Sequence, residues 1–208
     1  MRYKQIIFDI DGTLIFTEDA VLLSLRDMLK TITGAEYETD GLTFSLGIPG
    51  RDALRELGLP DVEASMALWE ENMDTYRHTI HIFEGITEVL DTLLQSGCEL
   101  GVVTSETQDE LALDFGRLGL TPYFKTIVCA SDTVCHKPSP EPLLKYMELT
   151  GTDSSEILYI GDSIYDSQCA RSAHVDFALA LWGCLERTID ADYRLDSPSD
   201  LLSIQNAE

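Results

Sequence analysis

The chain has 208 residues, of which 44% are hydrophobic, and it carries 37 acidic against 14 basic side chains. This length fits one domain, or one domain with a modest insertion, and the apolar fraction is large enough to bury a core. The net charge of −23 argues against nucleic acid and anionic membrane surfaces as partners, because both are bound mainly through Lys and Arg.

Short apolar runs of strand length recur along the chain. They are rich in Ile, Val, Leu and Phe and are bounded by Gly, Ser or Asp. Their apolarity is continuous rather than alternating, which favours strands covered on both faces, as in a parallel sheet. In chain order, the predicted strands cover residues 4–10, 98–104, 126–130, 157–160 and 175–181.

Helical periodicity fills the intervals between the later strands. Residues 86–95 have an apolar stripe, residues 108–118 stop at Gly119, and residues 141–150 begin with Pro142, which suits a first helical turn. The alternation of strands and helices predicts an α/β fold with a doubly wound parallel sheet.

The interval after the first strand breaks this rhythm because it has the pattern of helices alone. The helices predicted in it cover residues 18–32, 51–57 and 62–76. The simplest interpretation is a small helical cap at 15–81, inserted into an α/β core made of 1–14 and 82–208. Such an insert lies past the carboxyl end of a strand, where open α/β sheets bind ligands, and it could exclude water from a site there.

Polar side chains follow four of the predicted strands at the point where each strand ends. The clusters lie at residues 9–13, 104–105, 137–138 and 161–166. Because the carboxyl ends of parallel strands meet at one edge of the sheet, these carboxylates, hydroxyls and one Lys should converge. Convergent carboxylates repel one another unless a divalent cation lies among them, and ligands that are all oxygens favour Mg²⁺.

The same motifs resemble those of the haloacid dehalogenase-like phosphohydrolases. They read DIDGT at 9–13, TS at 104–105, HKPSPEP at 136–142 and GDSIYD at 161–166, in the order that the family has. The helical insert resembles the cap of the subgroup that holds phosphoglycolate phosphatases, related pyrophosphatases and β-phosphoglucomutases. The resemblance implies a Rossmann-like core and a Mg²⁺-dependent phosphatase acting on a small phosphomonoester, with phosphoglycolate the first substrate to try.

The resemblance also implies a role for each matched residue. Asp9 would be the nucleophile that forms an aspartyl-phosphate, and Asp11 the general acid and then base. Thr104 would donate a hydrogen bond to the phosphoryl group, and Lys137 would neutralise its charge. The implied phosphate cradle consists of Gly12, Thr13 and Ser105, and the implied Mg²⁺ ligands are Asp9, the backbone carbonyl of Asp11, Asp162 and, through water or Lys137, Asp166.

Three features bear on the substrate. Glu106 stands where Lys often follows the TS pair in relatives, and residues 82–85 read IFEG where a PFPG-like turn is common. Both differences make the predicted mouth of the site more acidic. Arg51, after a Gly-rich stretch of the insert, is either a ligand for a distal carboxylate or second phosphate, or a surface residue at a helix start.

Several alternative functions remain open on the sequence alone. A pyrophosphatase or a sugar phosphomutase would share the core, although a mutase needs cap cations, and only Arg51 and Arg55 are obvious ones. A receiver-type signalling domain also has carboxylates and a Lys-Pro pair at strand ends, but its phosphorylated Asp lies on a later strand. An inactive binding relative is disfavoured by the complete set of catalytic residues.

Partners and location follow from composition. No apolar run approaches the ~18 residues of a membrane-spanning helix. The five cysteines are odd in number and lack CxxC spacing, which is typical of reduced thiols in a cytoplasmic protein. We therefore expect a cytoplasmic monomer or homodimer whose partner is a small phosphorylated metabolite.

Overall fold

A computed structural model describes residues 2–206 of the chain. Its strands are β1 (Gln5–Phe8), β2 (Ile15–Phe16), β3 (His81–Ile82), β4 (Glu99–Val103), β5 (Thr126–Val128), β6 (Ile157–Gly161), β7 (Asp176–Ala180) and β8 (Tyr193–Leu195). Six of them form one sheet in the order β5-β4-β1-β6-β7-β8, and every pairing in it is parallel. The first strand, β1, therefore lies inside the sheet with β4 and β6 on either side.

Helices cover both faces of this sheet. In chain order they are α1 (Glu18–Thr33), α2 (Gly50–Glu56), α3 (Val62–Tyr76), α4 (Ile86–Gln95), α5 (Gln108–Leu113), α6 (Glu141–Thr150), α7 (Ile164–Ser172) and α8 (Asp200–Asn206). Ile6 and Phe8 of β1 pack in a cluster with α4 and α8, whereas Ile7 packs on the opposite face with α6 and α7. The doubly wound α/β fold predicted from the sequence is confirmed.

The helices between β2 and β3 have a hydrophobic core of their own. Leu25, Met28, Leu54 and Trp69 are buried together in a cluster separate from both clusters of the sheet. The strands β2 and β3 pair antiparallel, so the chain leaves and re-enters the sheet layer at neighbouring points. Two-residue strands have no detectable periodicity, and the sequence did not predict them.

Two other elements differ from the sequence prediction. The helix expected over 108–118 ends at Leu113 and continues as a separate 3₁₀ turn, Gly116–Leu118. The helix ends early because Gly116 is a poor helix former. The Asp114 side chain, directly after the helix, is bound by Arg77. The edge strand β8 was not predicted because its three residues include the exposed Arg194, so it has no continuous apolar run. Within residues 2–206, no helix combines the length and apolarity needed to cross a bilayer.

Candidate active site

A buried lysine joins two carboxylates beyond the end of β1. Asp9 directly follows β1, and its backbone N–H donates to the Ile160 carbonyl at 2.8 Å. Lys137, in the loop before α6, places Nζ 2.8 Å from Asp9 Oδ1 and 2.7 Å from Asp166 Oδ1. Burial alone would lower the pKa of Lys137, but the charges of Asp166 and Asp9 outweigh it and raise the pKa above its usual value.

Asp166 is fixed from several directions. It lies in the first turn of α7, where Ser163 and Asp166 form a reciprocal capping box. Its carboxylate also lies 2.7 Å from the hydroxyl of Tyr159, which is itself 3.3 Å from Lys137 Nζ. Tyr159 was not among the site residues predicted from the sequence. The available signal was a tyrosine within an apolar strand, since a buried hydroxyl needs a partner.

Three carboxylates form a group that fits a hard divalent cation. One oxygen from each of Asp9, Asp162 and Asp166 lies within 4.8 Å of the others. Burial raises the pKa of Asp162 well above its ordinary value, and the charges of Asp166 and Asp9 raise it further. A divalent cation would relieve this repulsion, and an all-oxygen donor set suits Mg²⁺.

The DIDGT turn supports Asp162 at close range. Thr13 Oγ1 donates to Asp162 Oδ1 at 3.2 Å. Gly12 has φ +71°, and a Cβ built on it would lie only 2.3 Å from Asp162 Oδ2. Glycine is therefore required at this position both by the backbone conformation and by the approach of the carboxylate.

Asp11 stands apart from the three-carboxylate group. Its side chain accepts a hydrogen bond from Thr17 Oγ1 at 2.7 Å. Burial raises the pKa of Asp11 to about 6, with the Thr17 hydrogen bond opposing the shift. Burial likewise raises the pKa of Asp9, and the charge of Lys137 opposes this shift. A carboxyl group with a raised pKa is suited to hold and transfer a proton, which is the role predicted for Asp11.

The turn after β4 links the sheet to the helical segment. Thr104 Oγ1 accepts from the Glu106 backbone N–H at 3.1 Å, which fixes the turn. Ser105 Oγ donates to the Gly47 carbonyl at 2.9 Å, across 58 residues of sequence. Glu106 is buried, and its Oε2 has no hydrogen-bond partner among the described residues.

A cavity of about 200 Å³ lies between the helical segment and the carboxyl edge of the sheet. Asp9 and Asp11 line it on one side, and Gly47 lines it on the other. A second cavity lies on the other side of the Gly47 loop and shares Asp11 with the first, while Asp162 lines only the second. Asp11 is thus the acidic side chain common to both cavities.

Arg51 is not brought to either of these cavities. Its guanidinium donates to the two carboxylate oxygens of Glu63 at 3.0 and 2.9 Å, on the exposed side of the helical segment. The predicted contact of Arg51 with a distal substrate group therefore has no support from the geometry. Among residues 2–206, the Arg that lines the first cavity is Arg77, which was not predicted as a site residue and which is bound by Asp74 and Asp114.

The parallel α/β sheet has an Asp-Lys-Asp group at its carboxyl edge and a helical segment after its first strand. This combination is typical of a class of hydrolases. The family model for haloacid dehalogenase-like hydrolases matches residues 6–180. The chain belongs to this family.

Curated relatives match along nearly the full chain. The phosphoglycolate phosphatase of Aquifex aeolicus is 32% identical over 210 residues, covering 98% of this chain and 97% of the relative. Pyrophosphatase PpaX of Halalkalibacterium halodurans is 29% identical over 209 residues, with the same two coverages of 98% and 97%. Both names denote enzymes that release phosphate.

Solved structures agree. A crystal structure from Lactobacillus plantarum has a TM-score of 0.88 at 31% identity and covers 98% of this chain and 100% of that one. A HAD-superfamily hydrolase of subfamily IA, variant 1, from Geobacter sulfurreducens has a TM-score of 0.73 at 25% identity, with coverages of 98% and 96%. The fold class and the enzyme class predicted from the sequence, a phosphatase of this superfamily, are confirmed.

Proposed function

We propose that this protein is a Mg²⁺-dependent phosphatase that hydrolyses a small phosphomonoester through an aspartyl-phosphate on Asp9. The observation that carries the proposal is the buried contact of Lys137 Nζ with both Asp9 and Asp166, beside a third carboxylate on Asp162. This arrangement supplies a nucleophile, a fixed positive charge and a set of oxygen ligands at one edge of the sheet.

The two carboxylates of the DIDGT turn would divide the chemistry. Asp9 Oδ1 is held by Lys137, so the other oxygen is available to attack phosphorus as the bond to the leaving oxygen breaks. Asp11 would give a proton to that leaving oxygen. In the second step Asp11 would take a proton from a water that attacks phosphorus, releasing inorganic phosphate and restoring the Asp9 carboxylate.

Ser105 lines the first cavity and would offer its backbone N–H to the phosphoryl group, with Thr104 beside it. The cradle contacts predicted for Gly12 and Thr13 have no such support, because the Gly12 N–H donates to the Ile15 carbonyl and Thr13 Oγ1 donates to Asp162. Asp9, Asp162, the Asp11 carbonyl and Asp166 would hold Mg²⁺. When bound, the metal supplies charge stabilisation for the phosphoryl oxygens.

We also propose that residues 15–81 act as a cap on a core made of 1–14 and 82–208. The Ser105–Gly47 hydrogen bond and the cavity beneath it support this division. A segment in this position would keep bulk water from the phosphorylated aspartate.

A pyrophosphatase is the second candidate, because relatives of similar identity carry that name. A second phosphate, like the bisphosphate of a mutase, needs a cation beyond the catalytic lysine. Arg51 and Arg55 line neither cavity, and Arg77, which lines the first, is bound by Asp74 and Asp114. The two cavities of the described residues therefore offer no unpaired Arg for a second phosphate, which favours a monoester with one phosphate.

A substrate panel tests the proposal. Phosphate release is measured from p-nitrophenyl phosphate, phosphoglycolate, pyrophosphate and β-glucose 1-phosphate, with Mg²⁺ and with excess chelator. We expect release from monoesters that is faster than release from pyrophosphate and that stops in chelator. Turnover in chelator, or no release from any monoester, would show that the proposal is wrong.

A further inference from the structure

The first cavity, which both Asp9 and Asp11 line, would hold the leaving group, and its lining is strongly acidic. In addition to Asp9 and Asp11, five carboxylates line it: Glu70, Glu106, Asp109, Glu110 and Asp114. Within residues 2–206, Arg77 is the single Lys or Arg in the lining, and Asp74 and Asp114 already bind it. No cation of the lining is therefore free to hold a carboxylate or a second phosphate on the leaving group.

Glu106 provides an independent sign of a missing ligand. Its side chain belongs to a residue only 9% exposed, lines the cavity, and leaves Oε2 buried without a hydrogen-bond partner. Buried polar atoms are nearly always paired, so an unpaired one that borders a cavity points to a partner supplied by a bound molecule. Burial and the nearby carboxylates of Asp11 and Asp114 raise the pKa of Glu106 well above its ordinary value, and a cation placed beside it would oppose this shift.

The opposite wall of the cavity is apolar and suits a short carbon chain with a positive end. Met66, Trp69 and Met73 of α3 line it together with Leu46 and Ile48. The Trp69 indole N–H is satisfied by Ser24 Oγ at 2.8 Å, so the residue offers the cavity its ring surface rather than a donor. An ammonium group is attracted both to aromatic faces and to carboxylates.

We propose that the site selects phosphomonoesters whose leaving group carries an ammonium group, and that Glu106 binds that group. This proposal rests on the phosphatase activity proposed above and specifies its substrate class. The volume of about 200 Å³ suits a small leaving group, since sites for drug-sized ligands measure about 300–1,000 Å³. The carboxylate of phosphoglycolate would instead face Glu106 and Glu110 with only a neutralised Arg77 nearby.

Three phosphate esters with leaving groups of similar size but different charge test the proposed substrate class. The wild-type protein with Mg²⁺ is given 2-aminoethyl phosphate, propyl phosphate and phosphoglycolate, whose leaving groups end in a cation, a methyl group and an anion. We expect kcat/KM to be about tenfold or more higher for 2-aminoethyl phosphate than for propyl phosphate, and lowest for phosphoglycolate. Equal values for the first two, or a preference for phosphoglycolate, would overturn the proposed substrate class.

The variant Glu106→Gln tests whether the preference for the ammonium ester depends on this one residue. Glutamine keeps the shape of the side chain and removes its carboxylate. We expect the ratio of kcat/KM for 2-aminoethyl phosphate over propyl phosphate to fall about fivefold or more, mainly through KM. The matched control is Glu38→Gln, an exposed residue outside the lining of both cavities, which should keep the wild-type ratio. An unchanged ratio in Glu106→Gln would show that Glu106 does not bind the ammonium group.

The failure of this inference can be distinguished from failure of the phosphatase proposal. If p-nitrophenyl phosphate and propyl phosphate are hydrolysed without a preference for the ammonium ester, only the substrate class is wrong. If none of the esters releases phosphate in Mg²⁺, the phosphatase activity and the inference built on it are both wrong. The wild-type comparison does not depend on the folding of any variant.

Discussion

Lys137 Nζ lies 2.8 Å from Asp9 Oδ1, with the two side chains only 1% and 3% exposed. A second carboxylate, Asp166, is bound to the same amine and is fully buried. The lysine is thus the sole partner of opposite charge in the described part of the chain for these two carboxylates. Removing one charge from a buried group of paired charges lowers the free energy of unfolding far more than removing an exposed charge does.

Lys137→Met should therefore destabilise the protein as well as inactivate it. We expect the free energy of unfolding to fall by about 3–5 kcal/mol, because Asp9 and Asp166 lose their counter-charge. Urea unfolding followed by circular dichroism, in chelator, measures the change. Lys125→Met is the control, since its exposed pair with Glu99 should contribute less than about 1 kcal/mol. Equal losses in the two variants would contradict this account.

Gly12→Ala tests the close approach of the DIDGT turn to Asp162. A methyl group at Gly12 would collide with Oδ2 of Asp162, so we expect weaker Mg²⁺ binding and a loss of activity of about 10²-fold or more. Gly34→Ala is a matched control because Gly34 has the same φ of +71° but open space around its Cβ position. It should cost only about 1–2 kcal/mol of stability and keep normal Mg²⁺ affinity. Isothermal titration calorimetry measures the Mg²⁺ affinity of both variants. Similar affinities for Gly12→Ala and Gly34→Ala would show that the predicted collision with Asp162 does not occur.

Glu106→Gln should change how stability depends on pH. The pKa of Glu106 is raised on folding, first by burial and then by carboxylates such as Asp11, so the folded protein keeps a proton that the unfolded chain releases. The stability linked to this proton is complete below the ordinary pKa of 4.5 and is lost as pH rises toward the raised pKa.

The stability of Glu106→Gln relative to wild type should therefore increase as pH rises above 4.5, the ordinary pKa of a Glu carboxyl. Thermal unfolding in chelator at several pH values gives the difference. Glu84→Gln, an exposed counterpart, should show a constant difference from wild type over the same range. A difference that stays flat or shrinks with pH for Glu106→Gln would mean that this side chain is not a buried acid.

Much of the fold was predictable because the central strands of the sheet are buried and apolar. The runs that became β1, β4, β6 and β7 are continuous stretches of apolar residues, and their position beneath helices on both faces follows from that pattern. The strands β2, β3 and β8 have two or three residues each, and their pairing depends on contacts distant in sequence.

The candidate site was predictable only as far as it follows strand ends. Asp9, Lys137, Asp162 and Asp166 converge because parallel strands terminate at one edge. The contacts from other elements had no such signal. Thr17 donates to Asp11 from the far side of a turn. Arg51 is bound by Glu63, twelve residues away, and the sequence pattern around Arg51 does not indicate this pairing.

The central claim is that Asp9 is the nucleophile of a Mg²⁺-dependent phosphatase, and Asp9→Asn tests it most directly. The measurement is steady-state phosphate release from p-nitrophenyl phosphate in Mg²⁺, with circular dichroism to confirm the fold and Asp153→Asn, an exposed residue, as the control. The account predicts that Asp9→Asn loses about 10³-fold or more of the wild-type kcat while Asp153→Asn keeps it. A folded Asp9→Asn protein with a rate within about tenfold of wild type would contradict the account.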